Sequence, residues 1–405
     1  MALIVQKFGG SSVADAERLN RVAGIIAETY SEGHDVVVVL SAQGDTTDEL
    51  IEKAKEINPK ASKREMDMLL STGEQVSIAL CAMALERIGL PVISLTGWQV
   101  DMNTSSDYSN ARIKSLGAQR IRQELDKRRI VIVAGFQGIN KYHDITTLGR
   151  GGSDTTAVAI AAALHADLCQ IYTDVTGVFT ADPRIVKNAK KLQEITYDEM
   201  LELASLGAKV LHNRSVEMAK RYNVDLEVLS SFVREPGTKV KEVTKLENTM
   251  ISGVTKDDNV ARISLIGLKD VPGVAFKMFR ALAAKKINVD VILQSIGRES
   301  TKDITFTVAQ SDMAAAQAAL EEAKDTIGFT SMSVSDAISK VSIVGAGMTT
   351  NPGVAAAMFE ALYINHINIH MISTSEIKVS VLVDRADSAR AVQVVHDRFY
   401  EQSLN

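Results

Sequence analysis

Cysteine is scarce. Cys81 and Cys169 are the only two in 405 residues, and neither belongs to a C-x-x-C pair. A disulfide framework is therefore excluded, and the usage is that of a reducing compartment, with both thiols expected as small buried hydrophobes. Aromatic residues make up only 5% of the chain, while Ala, Val, Ile and Leu dominate. That balance favours helix-covered parallel sheets over a β-sandwich. No run approaches the length of apolar residues that crosses a bilayer, so no membrane span is expected. The N-terminus, Met1 to Phe8, lacks a basic segment followed by a long apolar stretch, which argues against a secretory signal and for a cytoplasmic location. A formal net charge of −5 gives no reason to expect nucleic acid or an anionic membrane as partner. No Gly-Lys dipeptide occurs, so a Walker A loop is missing, as is the His-Arg-Asp loop of protein kinases. The 7 histidines are scattered, and no His/Cys grouping has zinc spacing.

What is present is organised in two styles. Aliphatic runs at Ala2–Phe8, Val36–Ser41, Pro91–Thr96, Ile130–Ala134 and Leu168–Thr173 read as buried strands. Helical patterns at Asp15–Tyr30, Gly73–Ile88, Ala111–Lys127 and Asp154–His165 separate them. This alternation predicts an α/β domain with a mainly parallel sheet, continuing to about Leu229. The polar stretch Ser230–Asn248 reads as a hairpin or linker at a domain edge.

Beyond it the chain repeats itself. Ile263-Ser264-Leu265-Ile266-Gly267 matches Val341-Ser342-Ile343-Val344-Gly345, and Pro272-Gly273-Val274-Ala275 matches Pro352-Gly353-Val354-Ala355. Met278-Phe279 and Ile287-Asn288 recur at Met358-Phe359 and Ile367-Asn368. Each copy reads strand, Pro-Gly turn, amphipathic helix, second strand, with a third strand at Asp303–Val308 or Ile377–Val383. Two copies are too few for a solenoid and predict paired α+β modules. Gly345-Ala346-Gly347 within the second copy is not a dinucleotide fingerprint, because position 350 is Thr350.

Three loops carry the chemistry. Lys7-Phe8-Gly9-Gly10-Ser11-Ser12 stands between a strand and a helix, where two glycines admit a phosphate to the backbone and Lys7 adds positive charge. Thr147 to Thr156 holds Gly149, Gly151 and Gly152 before an Ala-rich helix, a second anion cradle, with Arg150 suited to a bidentate grip on a carboxylate. Ser153 and Asp154 have a plainer reading as helix N-caps. Tyr172 to Arg184 follows a strand and displays Asp174 and Arg184, candidates for holding a nucleotide or its Mg²⁺. Three such loops at carboxyl ends of strands point to nucleotide and substrate meeting at the open edge of a sheet.

These segments, with Ser41–Asp48 and with Arg64-Glu65-Met66-Asp67 and Ser71-Thr72-Gly73-Glu74, resemble the aspartate kinase family over essentially the whole chain. The resemblance implies an N-terminal amino-acid kinase fold, a mainly parallel sheet sandwiched by helices. Two ferredoxin-like ACT modules of βαββαβ type would follow, and the implied divisions are 1–245, 250–335 and 338–405. It implies ATP with Mg²⁺ and L-aspartate as substrates, the acceptor being the side-chain carboxylate. By the same resemblance Lys7 and Arg150 are catalytic with Asp174. Lys7, Phe8, Gly9, Gly10, Thr173, Asp174, Phe179, Thr180, Asp182, Pro183, Arg184, Lys209 and Val210 would line the ATP site. Ser41, Thr47, Glu74, Arg150, Gly151, Gly152 and Ser153 would bind aspartate, Glu74 taking its ammonium group. Thr176 and Phe179 depart from the family's usual Asp and Tyr, and Asn213 from a frequent Pro.

In the first ACT copy, Asp270-Val271-Pro272-Gly273-Val274-Ala275, Asn288-Val289-Asp290 and Gln294 resemble an effector site. Asp270 or Asp290 would take an effector ammonium, and lysine, threonine or both are the implied effectors. The second copy has His370 and Thr374 where the first has Asp290 and Gln294, so the two sites have diverged. Self-association through the ACT modules is expected, and Met250 is a candidate internal start for a free regulatory subunit. The competing readings are another amino-acid kinase and a non-catalytic amino-acid sensor.

Overall fold

A computed structural model describes residues 1–207, 210–243, 250–295, 300–349 and 351–401. The chain divides into two compact units. One comprises Met1–Phe179 with Lys190–Glu247, the other Thr180–Ala189 with Asn248–Asn405.

The first unit opens with β1 (Leu3–Phe8), α1 (Ala16–Ser31), β2 (Asp35–Leu40), α2 (Thr46–Ile57), α3 (Lys63–Leu70) and α4 (Thr72–Arg87). Next come β3 (Val92–Leu95), β4 (Asn103–Thr104), β5 (Ile113–Ser115), α5 (Gln119–Leu125), β6 (Ile130–Ala134), β7 (Gln137–Ile139) and β8 (Ile145–Thr147). It closes with α6 (Gly152–Leu164), β9 (Leu168–Thr173), β10 (Glu194–Thr196), α7 (Tyr197–Ser205), α8 (Asn213–Tyr222), β11 (Leu226–Ser230) and β12 (Thr238–Lys241). The main sheet has the order β10-β12-β11-β9-β1-β2-β6-β3. Its pairings are parallel except for the β11–β12 hairpin. β2 and β6 are aliphatic and buried nearly end to end because helices cover both faces. Helix starts are fixed locally: Asp15 accepts from the Arg18 N–H at α1, and Thr196 with Glu199 forms a capping box at α7. A small sheet, β5-β4-β7-β8, stands beside the main one.

The helix predicted over Ala111–Lys127 begins only at Gln119, after β5. Gly117 interrupts it, lying so close to Asp101 that a Cβ there would come within 2.8 Å of the Asp101 side chain. α2 and α3 were not expected at all; α2 buries none of its residues and so carries no core-facing signal. By length and composition the Lys63–Arg87 run is apolar enough to cross a membrane. Half of its most apolar window is nevertheless buried within the protein, as in a core helix.

The second unit contains β13 (Gly253–Asp257), β14 (Ala261–Lys269), α9 (Val274–Ala284), β15 (Val289–Gln294), β16 (Thr301–Val308), α10 (Met313–Glu322), α11 (Lys324–Ile327) and β17 (Ser331–Ser335). β18 (Ile338–Val344), α12 (Val354–Ile364), β19 (Met371–Thr374), β20 (Lys378–Asp384) and α13 (Ser388–Tyr400) complete it. Two antiparallel four-stranded sheets result, β15-β16-β14-β17 and β13-β18-β20-β19. β13 lies ahead of the first repeat in sequence, yet it pairs with β18 of the second. The first module, β14 to β17, is thus an insertion within the second, and a boundary at 250 does not separate the two copies. Segment Thr180–Ala189 joins this unit as well: Ala181 and Val186 are buried in its core with Ile251, Met358 and Val395, and Thr180 accepts a backbone hydrogen bond from Val254.

Candidate functional site

The carboxyl ends of β1, β2, β6 and β9 gather the expected groups of the first unit. β1 delivers Lys7 and then Gly9 and Gly10. Gly9 donates to the Tyr172 carbonyl at 3.3 Å, and the Gly44 N–H donates to the Gly10 carbonyl at 3.0 Å. Any side chain at Gly10 would meet the Ala42 carbonyl at 2.7 Å, so the Gly-Gly turn and the Ser41–Gly44 loop lie backbone to backbone. This close approach requires glycine.

Lys7 is largely buried, and its Nζ lies 2.6 Å from Asp154 Oδ1 in the first turn of α6. Neither Ser153 nor Asp154 is the N-cap of α6, since both lie inside its first turn. Gly151 caps α6 in the left-handed conformation, φ +69°, and the His212 ring packs against it. The first-turn N–H groups of such a helix, without intrahelical acceptors, favour an anion. Ser153 is buried under Gly135, and the next residue, Phe136, holds a left-handed backbone at φ +69°. That strain, of order 1–3 kcal/mol, falls beside the cradle, where Phe136 accepts a hydrogen bond from the Leu148 N–H. Arg214 Nη1 donates to the Leu148 carbonyl at 2.6 Å and Nη2 to the Ala111 carbonyl at 3.0 Å, fixing the loop from behind. Arg150 itself is exposed.

Glu74 sits in the first turn of α4, 3% exposed. Its Oε1 accepts from the Ala42 N–H at 3.2 Å, while Oε2 is buried with no hydrogen-bond partner among the described residues. Burial pushes this carboxyl up from its ordinary 4.5 to about 8, against the smaller opposing effect of its backbone hydrogen bonds. An orphaned buried acceptor next to the Ser41–Thr47 loop is ready for a cationic ligand. Ser41 and Thr47 are both half-buried there.

The nucleotide set is divided. Thr173, whose hydroxyl donates to Asp174 Oδ1 at 3.0 Å, belongs with Asp174 and Phe179 to the first unit. Thr180, Asp182, Pro183 and Arg184 belong to the second. There Thr180 Oγ1 lies 2.9 Å from His396 Nε2, both buried, and Arg184 forks onto Asp182 with Nη2–Oδ2 at 2.7 Å. That guanidinium holds the Asp182 carboxyl below its usual range. Lys209 lies outside the described residues; Val210 is half-buried.

The expected effector residues are also separated. β14 and β15 each run antiparallel to β16. Asp270 follows β14, and its N–H bonds the Ser300 carbonyl, whereas Val289 registers with Val308 at the far end. Asn288, Val289 and Asp290 thus stand about eight residues along β16 from Asp270, roughly 25 Å, with Gln294 between. Both acids already hold lysines: Asp270 pairs with Lys302 at 3.0 Å, and Asp290 pairs with Lys340 of the second module.

The sequence matches the amino acid kinase family over residues 2–230 and the ACT domain over residues 263–323 and 341–399. It is 51% identical over 400 residues to an aspartokinase of Bacillus sp. strain MGA3, covering 98% of this chain and 97% of that one. An aspartokinase of Corynebacterium glutamicum is 50% identical over 405 residues, with 98% and 96% covered. Among solved structures, Escherichia coli aspartokinase III with aspartate and ADP (R-state) superposes with a TM-score of 0.81 at 27% identity, over 98% of this chain and 100% of that one. The same enzyme with lysine and aspartate (T-state) gives 0.78 at 28%, over 98% and 99%.

Proposed function

The chain belongs to the aspartokinases of the amino acid kinase family, and from that premise we infer that it transfers the γ-phosphoryl group of ATP to the side-chain carboxylate of L-aspartate. The products are 4-phospho-L-aspartate and ADP, the entry into lysine, threonine and methionine synthesis. Such a carboxylate, with a reference pKa of about 3.9, is already ionised at neutral pH and needs no general base. The site must neutralise charge and align two anions.

The observation that carries the reading is the Lys7–Asp154 pair at the N-terminus of α6. Asp154 holds the ammonium of Lys7 at the meeting point of the two glycine loops, where it offsets charge building on the transferring group. Arg150 and Ser153 address the substrate carboxylates, and Glu74 Oε2 accepts the substrate ammonium. Mg²⁺ enters as part of the nucleotide substrate. No group of three or more His, Cys, Asp or Glu forms a metal cage among the described residues. Such a donor set suits an ion carried mainly on phosphates, with Asp174 the carboxylate to reach it. The two ACT modules sense end-product amino acids, lysine or threonine, and associate with those of other copies. A reducing cytoplasm suits two buried free thiols.

The test is ADP release from ATP with and without L-aspartate, with hydroxylamine trapping the acyl phosphate as a hydroxamate. Aspartate-dependent ADP and hydroxamate are expected. ADP release indifferent to aspartate, or larger with glutamate, overturns the assignment.

A further inference from the structure

Asp67, on α3, is fully buried, and its carboxylate reaches across to two loops of the site. Oδ2 accepts from the Ser109 and Thr147 N–H groups, each at 2.9 Å. Oδ1 accepts from Thr147 Oγ1 at 2.8 Å and from the Ser109 N–H at 3.0 Å. One turn earlier Arg64 grips Asp144 through Nε at 3.1 Å and Nη2 at 2.9 Å. Asp144 also accepts from the Tyr108 hydroxyl at 2.8 Å. Residues three apart share a helix face, so Arg64 and Asp67 hold β8 at both ends, Asp144 just before it and Thr147 as its last residue. β8 leads through Leu148 and Gly149 to Arg150, Gly151 and the start of α6. α3 continues through Ser71 into α4, whose first turn carries Glu74.

We propose that Asp67 is a positioning residue that sets the separation between Glu74 and Arg150, and thereby the length of acidic amino acid the site accepts. The proposal rests on the aspartokinase reading above. A fully desolvated carboxylate with three converging donors has one low-energy arrangement. Losing it leaves the Ser109 and Thr147 N–H groups unpaired, so β8 shifts away from α3. The cradle then moves relative to Glu74. A shift on the scale of the one methylene that separates aspartate from glutamate is what selectivity would register.

The test compares Asp67→Asn, Thr147→Val and Thr147→Ser with wild type in the ADP-release assay. Asn keeps the shape of Asp67 but turns an amide NH₂ toward at least one N–H donor; Val removes the Thr147 hydroxyl donor, and Ser retains it. Asp67→Asn is expected to raise KM for aspartate about tenfold or more, leave KM for ATP within about twofold, and lower the aspartate-to-glutamate ratio of kcat/KM at least about fivefold. Thr147→Val moves the same quantities less, and Thr147→Ser restores them. A folded Asp67→Asn with both KM values and the selectivity ratio unchanged overturns the proposal, as does a loss confined to kcat or to ATP. If Asp67→Asn does not fold, Thr147→Val with wild-type selectivity overturns it. Wild-type protein that releases no ADP with aspartate overturns the kinase reading and this proposal together. Failure of the proposal alone is recognised by an active wild type.

Discussion

At the scale of single residues, two side chains have measurable consequences. Lys7→Ala is expected to lower kcat at least about a hundredfold with the fold intact, because it removes charge at the transferring phosphoryl group; near-normal turnover would remove Lys7 from the mechanism. Glu74 gives a pH signature. Its carboxyl titrates near 8 in the folded protein against an ordinary 4.5, so the empty fold binds this proton more tightly than the unfolded chain. The stability it contributes is present below about 4.5 and is lost as pH rises through 8. At pH 7 the empty site is mostly protonated there, and a substrate ammonium binds the ionised form. Aspartate binding should therefore release close to one proton at pH 7, and KM for aspartate should fall as pH climbs toward 8. Calorimetry at pH 7 in two buffers of different ionisation enthalpy reads the proton directly. Glu74→Gln should abolish the release, and equal heats in both buffers for wild type would refute the role. Lys7 and Arg150 stand out in the sequence as charges beside paired glycines, and the structure sets the first against Asp154 and leaves the second exposed. Asp154 was obscured by its plainer reading as a helix cap, a position that Gly151 takes instead. Asp67 lay inside a recognised motif, but its partners, Ser109 and Thr147, are too far off in sequence for spacing to reveal them.

At the scale of elements, legibility followed burial. β1, β2, β6 and β9 are covered by helices and so appear as aliphatic runs, whereas α2 buries nothing and left no trace. The repeat gave both ACT modules, but not that β13 completes the second sheet, a pairing made across the whole of the inserted first module. The start of α6 is the most exacting junction. A Cβ at Gly151 would meet the His212 ring at 2.2–2.6 Å, at a φ of +69° that L residues disfavour. Gly151→Ala is therefore expected to destabilise the first unit by about 2 kcal/mol or more through backbone strain and displacement of His212. Denaturant unfolding would measure this, and an unchanged midpoint would contradict the packing described.

At the scale of the molecule, the chain passes from the first unit into the second at Thr180, returns at Lys190 and leaves again at Asn248. Residues expected at the nucleotide are thus tethered to both units: Phe179 bridges Lys191 in one, while Ala181 and Val186 are buried in the core of the other. An effector acts only through unequal affinity for two states, typically a coupling of about 1–3 kcal/mol. Within one chain a single amino acid cannot touch both Asp270 and Asp290, because the strand register sets them at opposite ends of β16. Asp270 stands before the N-terminus of α9, where free N–H groups suit an effector carboxylate, and its pairing with the largely buried Lys302 is the contact an effector ammonium would replace. Asp290 instead joins the two modules through buried Lys340. Asp270→Ala should therefore raise the lysine or threonine concentration for half-inhibition about tenfold or more, each variant judged against its own uninhibited rate. Asp290→Ala should act differently, reducing the maximum extent of inhibition, because it loosens the join between modules. Initial rates across an effector titration separate the two effects. Equal responses in both variants, or a wild type insensitive to both amino acids, would remove the effector role from Asp270.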